Sequence, residues 1–391
     1  MRVNFSIYVI NLSMRVIFAC AGTGGHVNPA IAIARIIQKN EKDSEFLFIG
    51  TKNGLENKLV KNAGFEIVHI RTGKLLRKLT LKNVKAIFDT YAGIGESIKI
   101  LKDFKPDLVI GTGGYICGPV MLAAKKLEIP YMLHESNAYP GVSVKLLAKK
   151  AKYVMLGFED AKKRLKRQDN LIYTGTPAKF NIDEFDSLKK DESKKEFNIE
   201  KINKKIVLVT CGSQGAKKIN ETVIQMVAKK RSKEYFIVLV TGEATYDSMR
   251  KELDELKIEN ESEYIKLEKF IFNMDKMYKA CDMCITRAGA MTITELALAA
   301  RPAILVPLPT AAENHQYYNA KVLENARAGK IIEQKDLTID LLDNTINEII
   351  CNNDKLREMS ANARKMAKLD VEEKIYNCIK QITIQDKKII K

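Results

Sequence analysis

Residues 281–319 carry the pattern of a strand, a short turn, a helix and a second strand. Both strands are apolar, the turn at 287–290 is built mainly from alanine and glycine, and the helix is rich in alanine and leucine. A β-turn-α-β unit of this kind belongs to a parallel sheet, in which polar groups collect beyond the carboxyl ends of the strands. The stretch therefore predicts an α/β fold with a binding site at one edge of a sheet.

An apolar strand followed directly by a glycine turn and a helix recurs at 14–26, 107–118 and 206–216. At 391 residues the chain exceeds one compact core, so more than one domain is expected. We predict an α/β protein with two doubly wound, Rossmann-like parallel-sheet domains that face a cleft. The predicted segments are a disordered extension at 1–13, a first domain at 14–177, a second domain at 178–368, and a last helix at 369–391 that returns to the first domain.

The formal charge of +17 is typical of a protein with an anionic partner, which can be nucleic acid, lipid or substrate, and the alternative is a genome biased towards lysine and isoleucine. Only 7% of the residues are aromatic, none is tryptophan, and no nucleic-acid recognition motif occurs, so we predict no nucleic-acid partner. No apolar run reaches the length of a membrane span. The seven cysteines are scattered, which predicts reduced thiols in a cytoplasmic protein.

The glycine turns are typical of phosphate binding, because backbone N–H groups and the positive end of a helix can approach an anion there. The sequence disfavours an NAD site, since Val27 stands where the third glycine of the dinucleotide motif is needed and the strand at 46–50 ends without an acidic residue. No P-loop and no Asp-x-Asp motif occurs in these loops, and we predict neither a metal nor a cofactor. The pair Cys281 and Cys284 leaves a metal or redox role as an alternative, but no second pair has zinc spacing.

His26 lies in the first glycine turn and is the candidate for proton transfer. The chain has four histidines, and a lone histidine can equally serve a structural role. We predict a helix from Pro29 to Ile37, which would leave His26 at the tip of the preceding loop.

Glu295 lies in the helix that follows the turn at 287–290, where its carboxylate could accept two hydroxyl groups of a ribose. The alternative is a capping box formed by Thr292 and Glu295, in which the carboxylate only satisfies backbone donors. Further donors and acceptors follow the second strand at Gln316 and Asn319. Together these groups are typical of a nucleotide-sugar site. The charge-rich segment 183–205 reads as an exposed insert or linker.

The segment 72–88 places apolar residues at helical spacing and lysines on the other side. Such a basic amphipathic segment can lie on an anionic bilayer. The alternative is a core helix with a solvated lysine face. The residues assigned to membrane contact are Lys74, Leu75, Leu76, Lys78, Leu79 and Lys82.

Five motifs together resemble those of the MurG family of GT-B N-acetylglucosaminyltransferases. They lie at 22–34, 111–119, 134–141, 212–220 and 286–320, in the family's order, and they span nearly the whole chain from Met14. The resemblance implies inverting transfer of N-acetylglucosamine from UDP-GlcNAc to the C4 hydroxyl of undecaprenyl-pyrophosphoryl-MurNAc-pentapeptide. This reaction converts lipid I into lipid II in peptidoglycan synthesis, a process linked to cell shape and cell division.

The resemblance also implies roles for individual residues, with His26 as the base. The residues assigned to UDP-GlcNAc are Thr23, Gly24, Gly25, Asn137, Lys179, Ser213, Gln214, Gly215, Ile271, Ala290, Met291, Thr292, Glu295, Gln316 and Asn319. The residues assigned to the acceptor and its diphosphate are Gly113, Gly114, Tyr115 and Glu135. The chain departs from the family at Lys179, where relatives often have arginine, and at His315, where some have glutamine.

The implied partners are UDP-GlcNAc as substrate, lipid I, an anionic phospholipid surface and proteins of cell-wall synthesis. The implied location is peripheral, on the cytoplasmic face of the plasma (inner) membrane. A glycosyltransferase acting on diacylglycerol is the alternative within the same class. A nucleotide-sugar-binding or scaffold protein without turnover is the alternative from another class, and the presence of His26, Glu295 and Gln316 disfavours it.

Overall fold

The computed structural model describes residues 13–73, 81–212, 215–232, 234–260 and 262–389, without the side chains of 81–83 and 383–389. The chain divides into two compact units. The first contains the residues up to Ser136, Pro140–Pro177 and the residues from Asp370 onward, and the second contains Asn137–Tyr139 and Ala178–Leu369. The predicted disordered extension lies outside the described residues except for Ser13, whose hydroxyl donates to the Asp43 carbonyl at 3.0 Å.

The first unit is built on a parallel sheet of seven strands in the order β3-β2-β1-β4-β5-β6-β7. The strands are β1 (Arg15–Cys20), β2 (Glu45–Gly50), β3 (Glu66–His69), β4 (Leu108–Gly113), β5 (Tyr131–Glu135), β6 (Val154–Leu156) and β7 (Leu171–Tyr173). Successive strands are added on one side of β1 as far as β3 and on its other side from β4 onward, so the strand order reverses between β1 and β4. In a doubly wound sheet this reversal opens a crevice at the carboxyl ends of the two strands.

The helices of the first unit begin with α1, which is longer than the sequence predicts. They are α1 (Gly24–Asn40), α2 (Glu56–Asn62), α3 (Leu81–Phe104), α4 (Cys117–Lys126) and α5 (Val142–Leu147), with 3₁₀ turns at Ala148–Lys150 and Glu159–Arg164. The prediction of a helix over Pro29–Ile37 was wrong at its start, because the N–H groups of His26 and Val27 both donate to the Thr23 carbonyl. The glycine turn itself therefore winds into the first helical turn.

The second unit has a parallel sheet of six strands in the order β10-β9-β8-β11-β12-β13. The strands are β8 (Lys205–Thr210), β9 (Tyr235–Val240), β10 (Ile265–Glu268), β11 (Met283–Thr286), β12 (Ala303–Leu305) and β13 (Gly329–Ile331). The order reverses between β8 and β11. The fold class predicted from the sequence, two parallel-sheet α/β domains, is confirmed.

Nine α-helices among the described residues belong to the second unit. They are α6 (Ile182–Ser187), α7 (Lys190–Glu196), α8 (Lys217–Lys230), α9 (Tyr246–Glu255), α10 (Met274–Ala280), α11 (Ala290–Leu298), α12 (His315–Asn325), α13 (Ile339–Ile350) and α14 (Asn353–Lys365), with a 3₁₀ turn at Ala312–Asn314. The pattern at 281–319 forms β11, α11 and β12 as predicted, and the two strands pair in parallel.

The charge-rich segment 183–205 was wrongly predicted to be an exposed insert. It contains α6, α7 and the first residue of β8. Phe185 is buried and its ring stacks on Phe180 at 5.3 Å between centroids. The Glu196 carboxylate accepts hydrogen bonds from Asn273 and Lys276. These contacts fasten the segment to the second unit despite its few apolar residues.

The last helix, α15 (Val371–Ile389), belongs to the first unit and packs beside α1. Ile375 and Ile379 are fully buried in the core cluster that also contains β1 and α1 side chains. The Tyr376 hydroxyl donates to the Glu41 carboxylate, and Lys39 forms an ion pair with Glu372 at 3.0 Å. The first unit is thus assembled from segments that lie far apart in the sequence.

Candidate active site

The two glycine turns of the first unit meet at the carboxyl ends of β1 and β4, where the strand order reverses. The Thr112 hydroxyl donates to the His26 carbonyl at 2.7 Å. Gly113 and Gly114 have φ angles of +121° and +86°, which favour glycine. A Cβ atom at Gly113 would lie 2.5 Å from Cδ2 of His26, and one at Gly114 would overlap the Ala21 carbonyl oxygen. The two turns are therefore in close contact through their backbones.

His26 lies in the first turn of α1 and is half-buried, not at the tip of a loop as predicted. Its Nδ1 atom is 3.0 Å from the Ala21 carbonyl oxygen. A carbonyl can only accept a hydrogen bond, so Nδ1 carries the proton and Nε2 keeps its lone pair. Burial lowers the pKa of His26 despite the opposing effect of the hydrogen bond to Ala21. The imidazole is therefore neutral near pH 7 and can accept a proton at Nε2.

The other predicted residues of the first unit surround these turns. Thr23 is the N-cap residue of α1, and Gly24 and Gly25 are the first residues of the helix. Tyr115 follows the second turn and is partly exposed. The Glu135 carboxylate, at the end of β5, is buried and accepts a hydrogen bond from the Gly141 N–H at 2.8 Å.

Glu56 is a fully buried carboxylate at this edge that the sequence analysis missed. Its Oε2 atom accepts the Gly22 N–H at 3.2 Å, and Oε1 accepts the N–H and hydroxyl of Thr51 at 2.8 and 2.6 Å. Burial raises its pKa, but the hydrogen bonds from Thr51 and Gly22 outweigh burial, so the pKa lies below its usual value. The sequence shows only that this acid stands six positions after the strand end at Gly50, and the contact with Gly22 is not visible in it.

In the second unit, the loops after β8 and β11 occupy the equivalent position at the strand reversal. Ser213 and Gln214 lie outside the described residues. Their neighbours Gly212 and Gly215 have φ angles of +77° and +68°, and the Gly215 N–H donates to the Gly212 carbonyl at 3.0 Å. A Cβ atom at Gly215 would overlap the Thr241 carbonyl oxygen, so the turn requires glycine there.

Glu295 is buried on α11, and its Oε2 accepts a hydrogen bond from the Tyr278 hydroxyl at 3.1 Å. Burial raises the pKa of Glu295, and the positive charge of Lys179 and the Tyr278 hydrogen bond oppose this rise. The capping-box alternative is wrong: α11 begins at Ala290 with Gly289 as N-cap, so Thr292 already lies inside the helix. The carboxylate is held by a side chain instead of by the helix end.

Arg287 is used to brace the loop after β11. Its guanidinium donates to the carbonyls of Val306 and Pro307 at 3.0 and 3.2 Å, and to the Gln334 side chain at 2.6 Å. The first residues of α11, among them Ala290, therefore present backbone N–H groups beside a fixed loop. The predicted donor residues Met291 and Thr292 lie in the same helical turn and are half-buried.

Gln316 lies in the first turn of α12, and its Oε1 atom accepts the Leu308 N–H at 3.0 Å. This contact orients the amide so that its NH₂ group is the donor available on the other side. Glu313 and Asn314, the two residues just before α12, have φ angles of +52° and +53°. Left-handed backbone at consecutive non-glycine residues is strained and is found mainly at functional sites.

Asn319 is fully buried and joins three segments of the second unit. Its Oδ1 atom accepts the Ala138 N–H at 2.9 Å, and its Nδ2 atom donates to Asn137 Oδ1 and to the Ala288 carbonyl, both at 3.1 Å. The structure thus brings the predicted residues Asn137 and Asn319 together. Their contact with a donor sugar stays a prediction.

Ile271 follows β10 and is buried between two exposed aromatic residues. Phe270 and Phe272 pack edge to face with their ring centroids 4.8 Å apart, and Phe272 is 89% exposed. The backbone of Ile271 therefore lies between two aromatic side chains that are exposed at the surface.

Models of two protein domains match the chain. The Glycosyltransferase family 28 N-terminal domain matches residues 16–156, and the Glycosyltransferase family 28 C-terminal domain matches residues 206–375. The chain belongs to glycosyltransferase family 28. These domain matches support the predicted resemblance to MurG enzymes and the predicted enzyme class.

Curated relatives of this family 28 chain match along almost its full length. Two of them, from Thermoanaerobacter sp. (strain X514) and Acetivibrio thermocellus, are 41% and 39% identical to it, over 95% and 94% of this chain and 100% and 98% of the relatives. Both are named UDP-N-acetylglucosamine--N-acetylmuramyl-(pentapeptide) pyrophosphoryl-undecaprenol N-acetylglucosamine transferase. The MurG resemblance is confirmed.

Solved structures agree with this assignment. Acinetobacter baumannii MurG superposes with a TM-score of 0.75 at 29% identity, covering 94% of this chain and 99% of that one. The UDP-GlcNAc 2-epimerase from Neisseria meningitidis, solved with UDP-GlcNAc bound, has a TM-score of 0.63 at 15% identity over 95% of this chain and 100% of that one. The second likeness concerns the fold alone.

The described part of the chain holds neither a metal-binding cluster nor a membrane-spanning helix. Among the described residues, no group of three or more His, Cys, Asp or Glu side chains could hold a metal ion. Within the same part of the chain, no helix is both long and apolar enough to cross a membrane. The predicted membrane residues Lys74, Leu75, Leu76, Lys78 and Leu79 lie outside the described residues, as does the side chain of Lys82.

Proposed function

We propose that this chain transfers N-acetylglucosamine from UDP-GlcNAc to the C4 hydroxyl of the MurNAc sugar in lipid I, producing lipid II and UDP. The observation that carries the proposal is the full-length identity of about two residues in five to relatives named for this reaction. Peptidoglycan synthesis is the process that consumes the product.

His26 acts as the base in this proposal. Its neutral imidazole carries a proton on Nδ1 and offers the Nε2 lone pair to the acceptor hydroxyl. As Nε2 takes the hydroxyl proton, the acceptor oxygen forms a bond to the anomeric carbon from the face opposite the leaving group. The bond between that carbon and the diphosphate oxygen breaks, and UDP leaves with the electron pair. The configuration at the anomeric carbon is inverted.

The donor is held by the second unit. In this proposal Glu295 accepts ribose hydroxyl groups, and the support is that its carboxylate is held by the Tyr278 hydroxyl and feels the positive charge of Lys179. Lys179 and the N-terminal end of α11 supply positive potential for the diphosphate, which is also assigned to Ser213, Gln214 and Gly215. These groups stabilise the departing charge without a metal ion.

The sugar and the base make contacts at the rim of this unit. Gln316 uses its NH₂ group as a donor to a GlcNAc hydroxyl, since its oxygen already accepts from Leu308. The uracil binds beside the backbone of Ile271, next to the exposed Phe270 and Phe272. Asn137 and Asn319 are further residues assigned to the donor, and the hydrogen bond between their side chains holds their two segments together.

An enzyme with a lipid-linked acceptor needs access to a membrane, and α3 provides an apolar surface for it. Val84, Ile87, Phe88 and Tyr91 are spaced along one face of the helix and are 50%, 47%, 70% and 71% exposed. This exposure favours membrane contact over the alternative of a core helix. We infer that this face lies on an anionic phospholipid surface and that the enzyme is peripheral at the cytoplasmic side of the plasma membrane.

The membrane contact is tested with the double variant Phe88→Ser and Tyr91→Ser on vesicles containing phosphatidylglycerol. Binding should fall at least about tenfold, because one exposed aromatic side chain is worth about 1.5 kcal/mol or more when it is buried in lipid. Leu369→Ser is the matched control, since this residue is also apolar and is 67% exposed. Unchanged vesicle binding by the double variant would count against the proposal.

The reaction is tested by measuring UDP release from UDP-GlcNAc with a lipid I analogue. His26→Ala should lower kcat by about 10²–10⁴-fold, the usual contribution of a general base, while UDP binding is retained. His69→Ala is the control, because this histidine is exposed at the end of β3. Release with diacylglycerol and not with lipid I would point to the alternative acceptor, and release abolished by EDTA would reject the metal-free mechanism.

A further inference from the structure

The buried carboxylate of Glu56 is joined to His26 through a single peptide group. Glu56 accepts the N–H of Gly22 at 3.2 Å, and His26 Nδ1 donates to the C=O of Ala21 at 3.0 Å. This N–H and this C=O belong to the same peptide group, which is planar and rigid. The carboxylate and the imidazole therefore hold opposite sides of one peptide plane.

The surrounding sequence is shaped to hold this carboxylate. A Cβ atom at Gly54 would overlap the carboxylate of Glu56, and one at Gly50 would lie 2.8 Å from its Cγ. Thr51 fixes Oε1 with both its N–H and its hydroxyl, and Oε2 is left to accept Gly22. The charge is retained because these hydrogen bonds outweigh the effect of burial on the pKa of Glu56.

This arrangement changes the role of the first glycine turn. The Gly22 N–H, which would be a phosphate donor in a phosphate-binding turn, is already used by an anion of the protein itself. The turn instead presents the Ala21 carbonyl to His26. A carboxylate that accepts from the N–H side of a peptide polarises the carbonyl on its other side and strengthens it as an acceptor.

We propose that Glu56 is a positioning residue for the transfer, which acts through the Ala21–Gly22 peptide to fix the tautomer and orientation of the His26 imidazole. The effect on turnover rests on the proposed function, whereas the effect on the imidazole does not. The role resembles that of carboxylates that orient a catalytic histidine directly, with one peptide group inserted between the two side chains.

The variant Glu56→Gln tests whether the carboxylate is needed or only the volume of the side chain. The native carboxylate accepts backbone N–H groups at both oxygens, from Gly22 and from Thr51. A glutamine has only one oxygen, so in either orientation its NH₂ group must face one of these N–H donors. Gly54→Ala is the second variant, because it displaces the carboxylate and leaves its charge in place. Glu66→Gln is the control, since this residue is exposed on β3 of the same unit.

The first measurement is a ¹⁵N correlation spectrum of the histidine imidazoles, which distinguishes the two tautomers without substrate. The chain has four histidines, and the His26 signal is identified by its loss in His26→Gln. We expect a single Nδ1–H tautomer in the native protein and in Glu66→Gln. Glu56→Gln and Gly54→Ala should give a tautomer mixture or a shifted His26 signal.

The second measurement is the kinetics of UDP release with a lipid I analogue. In both variants kcat should fall by about 10–10²-fold, as expected for a displaced catalytic group, while KM for UDP-GlcNAc stays within about threefold. An unchanged His26 signal together with native kcat, even at lowered thermal stability, would reduce Glu56 to a structural residue and overturn the proposal. If the native protein releases no UDP, the proposed function fails, and the spectra still decide the positioning of His26.

Discussion

Replacing Gly113 by alanine tests whether the rate depends on the placement of His26. Gly113 has a φ of +121°, and a Cβ atom there would lie 2.5 Å from Cδ2 and 2.9 Å from Nε2 of His26. To restore an ordinary contact the ring must move by about 1 Å, and a displacement of this size at a reacting group costs about 10²-fold in rate. The backbone strain adds a destabilisation of about 1–3 kcal/mol. We therefore expect a loss of about 10²-fold in kcat.

The assay is UDP release at saturating UDP-GlcNAc with a lipid I analogue, measured beside the thermal unfolding of each variant. Gly118→Ala is the matched control, because Gly118 lies in α4 and a Cβ atom there would meet nothing within 4 Å. Alanine is favoured over glycine inside a helix by about 1 kcal/mol, so this variant should be slightly more stable with native kcat.

The expected result separates misplacement from unfolding. Gly113→Ala must lose rate at a temperature at which its unfolding curve shows it fully folded, whereas Gly118→Ala must not. A folded Gly113→Ala protein with native kcat would refute the reasoning, because the Cβ atom would then have displaced a side chain that the reaction does not need.

Two further predictions concern buried ionisable groups. Glu295→Gln should raise KM for UDP-GlcNAc by about tenfold or more, because hydrogen bonds to a charged group are worth about 1.5–3 kcal/mol, and a native KM would exclude Glu295 from the donor site. His134 is fully buried, and burial lowers its pKa from 6.5 to about 4 despite a hydrogen bond to Gly175. As the pH falls, His134 is protonated in the unfolded chain before it is protonated in the folded protein. The contribution of neutral His134 to the free energy of unfolding is therefore present above pH 6.5, and about 3 kcal/mol is lost as the pH falls towards 4. Urea unfolding of the native protein and His134→Gln at pH 7 and pH 4.5 measures it, and parallel losses in both proteins would contradict the assignment.

The sequence predicts those parts of the site that depend on local pattern. The unit of β11, α11 and β12 follows from apolar runs separated by small residues, and the apolar strand that precedes each glycine turn restricts where the turn can lie. The contact between the turns after β1 and β4 follows from the doubly wound order, in which these strands are neighbours. Both predictions rest on rules that hold for any parallel sheet.

The remaining features depend on contacts that a linear pattern does not encode. The start of α1 was misjudged because Gly24 and Gly25 are poor helix formers, and only the hydrogen bonds to the Thr23 carbonyl show that they are helical. Glu56 was missed because its partner Gly22 lies 34 residues earlier in the chain. The sequence predicted Asn319 as a site residue. It did not show that Asn319 is buried and bonded to the backbone of Ala138 and Ala288, because these contacts arise only in the tertiary structure.

The helix α15 has a consequence for synthesis of the protein. All of Ala178–Leu369 is translated before the first unit receives α15, although α1 and β1 of that unit are made near the beginning. The apolar surface of α1 that Ile375 and Ile379 later cover therefore remains open while the second unit is being made. During translation the second unit can complete its core before α15 is made, whereas the surface of the first unit that packs against α15 stays uncovered until then.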